Sequence, residues 1–363
     1  MRLCEKVIQR LRCVRYFTAV FVISLSGCVT STFGPKTVAP ASFDYNEAIS
    51  RSWDEQLLLN LVRLRYRDNP LFVDVNSVTS SYSLNRNASV GARGSNGTGT
   101  EISGGVGVSL AENPVVSYSY LKGGEFAQRM LSPLSAADLR VLAQSGWSIE
   151  RLLLCCYQSL NGIENSFGAT GPTPDVVPDY EDFQRIAMAL RKLQLARLIH
   201  WEYDGEGSFI EFDETAGAEK QLITGLLKLN PQTRRFTIVP RRDSPSQDQV
   251  EVRTRSLLGV MYFLSLSVQV PPQHQTAGFV THTVDRAGTA FDWSKVLDPL
   301  MQIHSNKAVP VDAAVKVFYR QHWYWIADDD LNSKATFTLL RLLVFLKSGD
   351  QQSPSPLVTI PSR

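Results

Sequence analysis

The fold is decided by two alternating runs, Tyr82-Ser-Leu-Asn-Arg-Asn-Ala-Ser-Val-Gly-Ala92 and Ile102-Ser-Gly-Gly-Val-Gly-Val-Ser-Leu110. Larger side chains recur at alternate positions in both runs, and Ser, Asn or Gly fill the positions between them. Since successive side chains of a β-strand point to opposite faces, this period of two predicts strands. Residues 94–100, rich in Gly, Ser and Asn, are the predicted hairpin tip.

Strand-like sequence extends on both sides of these runs, over residues 71–121. Asn113-Pro114 interrupts the second run, and residues 115–121 resume it. We therefore predict three or four antiparallel strands in this region.

A helix is predicted before the strands, over residues 46–67. Apolar residues fall there at helical spacing, and Glu47 and Arg51 lie four residues apart on another face. The apolar stripe consists of Ile49, Trp53, Leu57, Leu61 and Leu64. Asn69-Pro70 ends the helix, because the residue before a proline disfavours helical backbone.

Helices and short strands alternate in the remaining sequence. Helical spacing predicts helices over residues 124–131, 136–144, 148–160, 180–195, 216–229, 254–267 and 331–346. Strand-like runs cover 199–212 (with a turn at 204–207), 236–239, 250–252, 314–319, 323–326 and 357–360. Residues 273–306 lack periodicity and are predicted to be loop with short pieces of structure. The fold class predicted from these patterns is α+β, with antiparallel β-hairpins and several packed helices.

Four segments are predicted along the chain. Residues 1–27 are a leader, and residues 28–43, which mix Thr, Ser, Gly and Pro, are a flexible tether. Residues 44–165 form an N-terminal α+β domain that contains the hairpin, and residues 179–363 form a C-terminal α+β domain. The Gly/Pro-rich stretch between them is the predicted boundary.

The leader has the three-part shape of an export signal: a basic lead-in, the apolar run Phe17-Thr-Ala-Val-Phe-Val-Ile-Ser-Leu25, and small residues before Cys28. The apolar run is far shorter than the roughly 20 residues that a helix needs to span a bilayer. Leu25-Ser-Gly-Cys28 resembles the lipobox of bacterial lipoproteins. This resemblance implies that Cys28 carries lipid and becomes the first residue after cleavage.

Composition and charge favour a folded protein and argue against a nucleic-acid binder. The chain is 44% hydrophobic, which allows a substantial core. Its formal net charge of +2 arises from the leader, where Glu5 is the only acid, so the remainder is slightly acidic. The basic residues of the leader are Arg2, Lys6, Arg10, Arg12 and Arg15. A nucleic-acid partner is not expected, since such proteins concentrate positive charge on one surface.

Of the five cysteines, Cys4 and Cys13 precede Cys28 and only Cys155 and Cys156 follow it. Adjacent cysteines are poorly placed for a mutual disulfide, which needs a narrow range of Cα separation and dihedral angle. They lie in a helical pattern, and we predict that they are small buried residues.

Other side chains of chemical interest also have structural explanations. Asp328-Asp329-Asp330 could bind calcium, but acids directly before a helix favour a capping role. His322-Trp-Tyr-Trp325 could stack on a sugar, but alternating aromatic residues on a strand favour a cross-strand core. His274 and His282 share a loop and could meet. No catalytic residue, cofactor site or metal site is predicted.

Several segments together resemble a family of proteobacterial envelope lipoproteins. They are Asn60-Leu-Val-Arg-Leu-Arg-Tyr-Arg-Asp-Asn-Pro70, Gly123-Gly-Glu-Phe126, Ser145-Gly-Trp147, Ser159-Leu-Asn-Gly162 and Tyr324-Trp-Ile-Ala-Asp-Asp-Asp-Leu-Asn-Ser-Lys334. The resemblance covers most of the chain after Cys28. It implies no activity, cofactor or catalytic residue.

Three functional hypotheses follow. The first is an outer-membrane lipoprotein, periplasm-facing and anchored to membrane lipid through Cys28, that serves as a structural or assembly component of an envelope complex. Val29 follows the cysteine where an Asp would resemble an inner-membrane retention signal, which favours the outer membrane. The second is a homo-oligomeric outer-membrane pore or export component that uses residues 82–110. The third is a periplasmic hydrolase.

Overall fold

The structure is a computed structural model that describes residues 35–94, 100–120, 124–166, 168–169, 171, 174, 176–240 and 246–348. For residues 35–45, 73–94, 100–120 and 125 it describes the backbone only. The chain divides after Ser52 into two compact units, and the elements below belong to the larger unit, residues 53–363, except for the start of the first helix.

The first helix, α1, spans Pro35–Arg65 and begins well before the predicted start at residue 46. Part of the predicted tether, residues 28–43, is therefore helical. A proline at the first helical position loses no hydrogen bond, because its N–H would have had no partner there. The predicted apolar stripe is confirmed further along, since Leu57, Leu61 and Leu64 are buried. Arg67, with φ of 59°, adopts the left-handed conformation just after the helix.

Two long strands follow, β1 (Val73–Gly94) and β2 (Thr100–Tyr120), which pair antiparallel with each other. The prediction of three or four strands is wrong, because β2 continues through Asn113-Pro114 without a break. The predicted tip is placed correctly, since β1 ends at Gly94 and β2 begins at Thr100.

We call the larger unit without the hairpin of β1 and β2 the body. Its described residues contain nine further α-helices. They are α2 (Gly124–Leu131), α3 (Ala136–Gln144), α4 (Ile149–Cys156), α5 (Glu181–Ala196), α6 (Gly217–Leu226), α7 (Leu257–Ser265), α8 (Pro272–Thr276), α9 (Ser294–Leu297) and α10 (Leu331–Ser348). A short 3₁₀ turn, Glu214–Ala216, precedes α6. The α+β fold class is confirmed.

Two more sheets complete the body. One consists of β3 (Tyr157–Leu160), β4 (Ile163–Glu164), β5 (Ile199–Tyr203), β6 (Ser208–Phe212), β7 (Arg235–Val239) and β8 (Gln249–Thr254), in the order β4-β3-β8-β7-β6-β5. All its neighbours are antiparallel except β7 and β8. The other consists of β9 (His304–Asn306), β10 (Ala313–Tyr319) and β11 (His322–Ala327), with β11 in the centre. The predicted closing strand at 357–360 lies outside the described residues.

The predicted division between residues 44–165 and 179–363 does not separate two cores. Strand β3, from the first of these ranges, pairs with β8, from the second. A single cluster of buried apolar side chains runs from Leu57 to Leu343. Ser166 and Asp179, on either side of the predicted boundary, belong to one unit, and the Ser166 N–H donates to the Asp179 carbonyl at 2.9 Å.

Arg255 lies at the centre of this shared core. It is 1% exposed, and no carboxylate among the described residues contacts it. Its guanidinium donates instead to four backbone carbonyls and lies 4.0 Å above the ring centre of Phe263. The accepting oxygens belong to Leu154 (3.1 Å), Cys155 (3.1 Å), Tyr157 (2.9 Å) and Asn165 (2.5 Å). Burial lowers the pKa of Arg255 to about 10, so the side chain stays charged at neutral pH.

These contacts explain why α4 ends at Cys156, although a helix was predicted up to residue 160. The last carbonyls of a helix have no partner within it and carry the negative end of its dipole. Arg255 donates to two of them, and the side-chain amide of Asn165 donates to Leu154 at 2.8 Å and to Tyr157 at 2.8 Å. Residues 157–160 are therefore free to pair as a strand.

We expect Arg255→Met to destabilise the protein by about 2–6 kcal/mol, because two buried carbonyls lose their side-chain donor at a cost of about 1–3 kcal/mol each. Methionine fills much of the same volume but leaves the Cys155 and Asn165 carbonyls without this donor, while the Leu154 and Tyr157 carbonyls keep only the Asn165 amide. The measurement is urea unfolding followed by circular dichroism. Arg253→Met is the matched control, because Arg253 lies two residues away on β8 and is exposed, so its loss should change stability by about 0.5 kcal/mol or less. Equal effects of the two substitutions would contradict this role for Arg255.

Candidate functional site

The hairpin of β1 and β2 brings the two alternating runs onto one face. Leu84 lies opposite Leu110, Ala88 opposite Val106, and Ala92 opposite Ile102. Directly opposed residues of an antiparallel pair share a face, so both predicted apolar runs line the same side of the ribbon. The other side carries Asp74, Ser77, Thr79, Ser81, Ser83, Asn85, Asn87, Ser89, Gly91 and Arg93 of β1, and Glu101, Ser103, Gly105, Gly107, Ser109, Ala111, Asn113, Val115, Ser117 and Ser119 of β2.

A β-bulge near the start of β1 keeps this pattern in phase. The register shifts between Val75 and Ser77, so that Val75 lies opposite Tyr118 while Val78 lies opposite Val116. Without the extra residue, Val73 and Val75 would fall on the polar side, because one residue of slip reverses every position. The alternation therefore stays in phase along both strands, although the apolar face also carries Ser80, Arg86 and Glu112.

Neither outer edge of the hairpin is paired with another described strand. The strands contain 22 and 21 residues, and a rise of about 3.3 Å per residue gives a ribbon roughly 70 Å long. Each strand thus offers a long row of backbone N–H and C=O groups beyond those used within the hairpin.

The chain leading into the hairpin is fixed to the body. The side-chain amide of Asn60, buried on α1, donates to the Leu71 carbonyl and accepts from the Leu71 N–H, both at 2.8 Å. The ring of Phe72 packs edge-on against Phe126 of α2, with centroids 5.4 Å apart. The hairpin therefore starts from a fixed point.

Residues 66–72, which lead into β1, are called the root of the hairpin. Asp68 makes a second attachment there. The guanidinium of Arg320 donates to a carboxylate oxygen of Asp68 at 3.0 Å, and the hydroxyl of Tyr319 donates to the same oxygen. Although burial opposes the shift, these two hydrogen bonds lower the pKa of Asp68. Arg320 and Gln321 form the two-residue turn between β10 and β11 with φ of 45° and 64°. Such backbone costs non-glycine residues about 1–3 kcal/mol each, and the Asp68 contact helps to offset this.

Tyr66 joins the root to a buried cluster of titratable side chains. Its hydroxyl lies 2.7 Å from Nδ1 of His274 and 2.6 Å from the hydroxyl of Tyr324. His274 packs edge-on against His322, with ring centroids 4.7 Å apart. The guanidinium of Arg320 lies 5.1 Å from the ring centre of Tyr66.

The electrostatics of this cluster favour neutral side chains. Burial lowers the pKa of His274, and the nearness of His322, Arg320 and Lys307 lowers it further. Burial raises the pKa of Tyr324, and so does the hydrogen bond with Tyr66. A neutral His274 can accept from Tyr66, which in turn can accept from Tyr324.

An open cleft of about 480 Å³ lies beside the cluster. It forms where two paired segments separate: Gln269 donates to the Ile303 carbonyl at 2.8 Å, but Pro271 and Pro272 have no N–H with which to continue the pairing. The lining consists of Gln269, Val270, Pro271, Pro272, Gln275, Ser305, Asn306, Lys307 and His322. Its amide, hydroxyl and ammonium groups suit a polar ligand.

The aromatic strand β11 has two different faces. Tyr324 is fully buried, whereas Trp323 and Trp325 lie on the opposite face and are partly buried. Trp323 stacks against its cross-strand neighbour Phe318 at 5.2 Å, and Trp325 against His304 at 5.4 Å. The predicted cross-strand packing is confirmed for these rings.

The acidic cluster caps α10, as predicted. A carboxylate oxygen of Asp330 accepts from the Ser333 N–H at 3.0 Å, and the other accepts from the Ser333 hydroxyl at 2.5 Å. Asp328 pairs with Lys334 at 2.6 Å. Within the described ranges, no group of three or more His, Cys, Asp or Glu side chains could hold a metal ion.

Cysteines and histidines are placed as follows. Cys155 and Cys156 are free and fully buried, as predicted, and their mutual hydrogen bond together with burial raises the pKa of Cys156. His274 meets His322 of β11, which sequence reasoning missed because the two are far apart in the chain. The proposed lipid site, Cys28, lies outside the described residues.

No protein-family model matches this chain, and neither a curated protein nor a solved structure is similar to it. The resemblance to envelope lipoproteins therefore stays a prediction. Among the described residues, no helix has both the length and the apolar composition needed to cross a membrane.

We expect the protein to lose stability as the pH falls from 7 towards 5, partly because of His274. The folded state resists protonating this histidine, whereas the unfolded chain takes up a proton near pH 6.5, so acid favours unfolding. His274→Gln keeps an acceptor for Tyr66 and should flatten the decline in melting temperature across this range. His200→Gln is the control, because His200 is exposed on β5 and should leave the decline unchanged. An identical decline in wild type and His274→Gln would contradict the role of His274.

Proposed function

We propose that this chain is an outer-membrane lipoprotein that serves as a structural or assembly component of a cell-envelope complex and catalyses no reaction. The attachment rests on the resemblance of Leu25-Ser-Gly-Cys28 to a lipobox. Lipidated termini with several acyl chains give stable anchoring, whereas a single chain binds only marginally.

The observation that carries the assembly role is the hairpin. Its register separates a mainly apolar face from a polar one, and its outer edges are unpaired among the described strands. Asn60 and Asp68 fix its root to the body. A long element of this kind, held at one end, is suited to contact another protein. The buried cluster next to the hairpin contains Tyr66, Tyr324, His274 and His322. These side chains form hydrogen bonds with one another or pack together, which explains their grouping without a reaction.

A second candidate function, an oligomeric outer-membrane pore or export component, is favoured by the same register. Membrane strands need about 9–11 residues with alternating faces, and residues 84–94 align with residues 100–110. Arg86 lies on the apolar face opposite Val108. A lipid-facing arginine costs about 2–4 kcal/mol at the midplane and less towards the interface, so this candidate ranks second.

Lipidation is tested by changing the proposed acceptor. Cys28→Ala should abolish incorporation of labelled palmitate and remove the protein from the outer-membrane fraction. Cys13→Ala is the matched control, because this cysteine belongs to the predicted leader and its loss should change neither result. Palmitate labelling of Cys28→Ala at the wild-type level would overturn the attachment.

The assembly role is tested by replacing residues 77–117 with a short Gly/Ser linker in the full lipidated chain. We expect the body to keep its melting temperature and the outer-membrane location, while the envelope proteins captured by tagged wild type are lost. The proteins are captured from detergent-solubilised membranes and identified by mass spectrometry. If the shortened chain captures the same proteins in the same amounts, the hairpin is not the contact element.

A further inference from the structure

We infer that the hairpin is a self-association element, in which the outer edge of β1 in one copy pairs with the outer edge of β2 in the next. This inference rests on the proposed function and names the partner of the hairpin as a second copy of this chain. Four properties of the ribbon support it.

The first property is unused backbone pairing. In an antiparallel pair, alternate residues of each strand direct their N–H and C=O groups away from the partner. Strands β1 and β2 form a separate two-stranded sheet among the described strands, so about half of their groups lie on open edges. Two-stranded hairpins are marginally stable in water, and a third and fourth strand supply the missing pairing.

The second property is the lack of edge protection. Proteins usually block exposed edges with charged residues, prolines or bulges. Residues 102–111 of β2 contain neither a charged residue nor a proline. Between the bulge at Asn76 and Arg93, the only charged residue of β1 is Arg86. Both edges are therefore open to another strand over most of their length.

The third property is direction. Two copies related by a rotation about an axis along the ribbon point their hairpins the same way. Side by side, β1 of one copy then runs antiparallel to β2 of its neighbour, which is the more stable arrangement. Pairing β1 with β1 would instead give parallel strands and would set the apolar face of one hairpin beside the polar face of the other.

The fourth property is that one copy supplies both halves of the contact. Each chain carries one β1 edge and one β2 edge of nearly equal length, 22 and 21 residues, with the same alternation of faces. Joining unlike edges is a heterologous contact, which produces rings or open arrays of copies. The apolar faces of all copies then form one continuous surface.

The test uses the full lipidated chain in two differently tagged versions, purified together in mild detergent. We expect the second tag to co-purify with the first, and light scattering to give several times the mass of one chain. Replacing residues 77–117 with a short linker should abolish both signals. Purely monomeric wild type at all concentrations, or a shortened chain that keeps the wild-type mass, would overturn the inference.

Two proline variants show whether the edge itself makes the contact. Gly104→Pro and Gly105→Pro remove N–H groups from neighbouring positions of β2, one of which faces β1 while the other faces outward. The outward variant should lose co-purification, while its circular dichroism spectrum stays that of wild type. The variant that faces β1 should instead change the spectrum, because it breaks pairing within the hairpin. If both variants retain the wild-type mass, edge pairing is wrong.

The outcomes separate this inference from the proposed function. If wild type captures other envelope proteins through the hairpin but never a second copy, the assembly role stands and self-association is wrong. If lipid vesicles protect the hairpin of single, unassociated chains from protease, the membrane is its partner and self-association is likewise wrong. Absence of palmitate labelling in the wild type would contradict the lipid anchor alone, whatever mass light scattering gives.

Discussion

The buried guanidinium of Arg255 is the interaction on which the body depends. From its position just after β8, it joins the end of α4, the start of β3 and the residue after β4 through hydrogen bonds to four carbonyls. A buried cation normally needs a carboxylate partner, because loss of hydration is costly. Here the carbonyls at the end of a helix, which carry the negative end of its dipole, take that place. The helix can therefore end inside the core, and a strand can follow directly.

The shared core also positions the residues that lead into the hairpin. Because β3 and β8 pair, the two halves of the chain share one core, and α1 packs its apolar stripe into the same cluster of buried side chains. Tyr66 and Asp68, just after α1, then reach Tyr324 and Arg320 on the hairpin of β10 and β11. The chain just before β1 is thereby held by contacts with residues more than 250 positions away.

Local patterns predicted much of this fold, and distant contacts caused the errors. Helices α2 and α3 have the predicted bounds, because their capping and spacing signals lie within a few residues. The end of α4 was misplaced because it depends on Arg255, about 100 residues later, whose sequence neighbours give no sign of burial. Asn113-Pro114 suggested a break that the paired backbone does not show. In the candidate site, the alternation of the hairpin was predictable from period, whereas the Tyr66–His274–Tyr324 contacts were not, since no short-range pattern links these residues.

The bulge in β1 preserves the alternation of the two faces of the hairpin. A hairpin needs only local pairing to exist, and an ordinary surface hairpin tolerates mixed residues on its outer face. Here one inserted residue keeps Val73 and Val75 on the side of Val78, while Ser, Asn and Gly dominate the other side through both strands. The bulge therefore sets the valines at the start of β1 on the same face as Val116, Tyr118 and Tyr120 of β2. Because a two-stranded ribbon gains little stability in water from its own pairing, any contact made by its apolar face or open edges would add stability that the hairpin alone lacks.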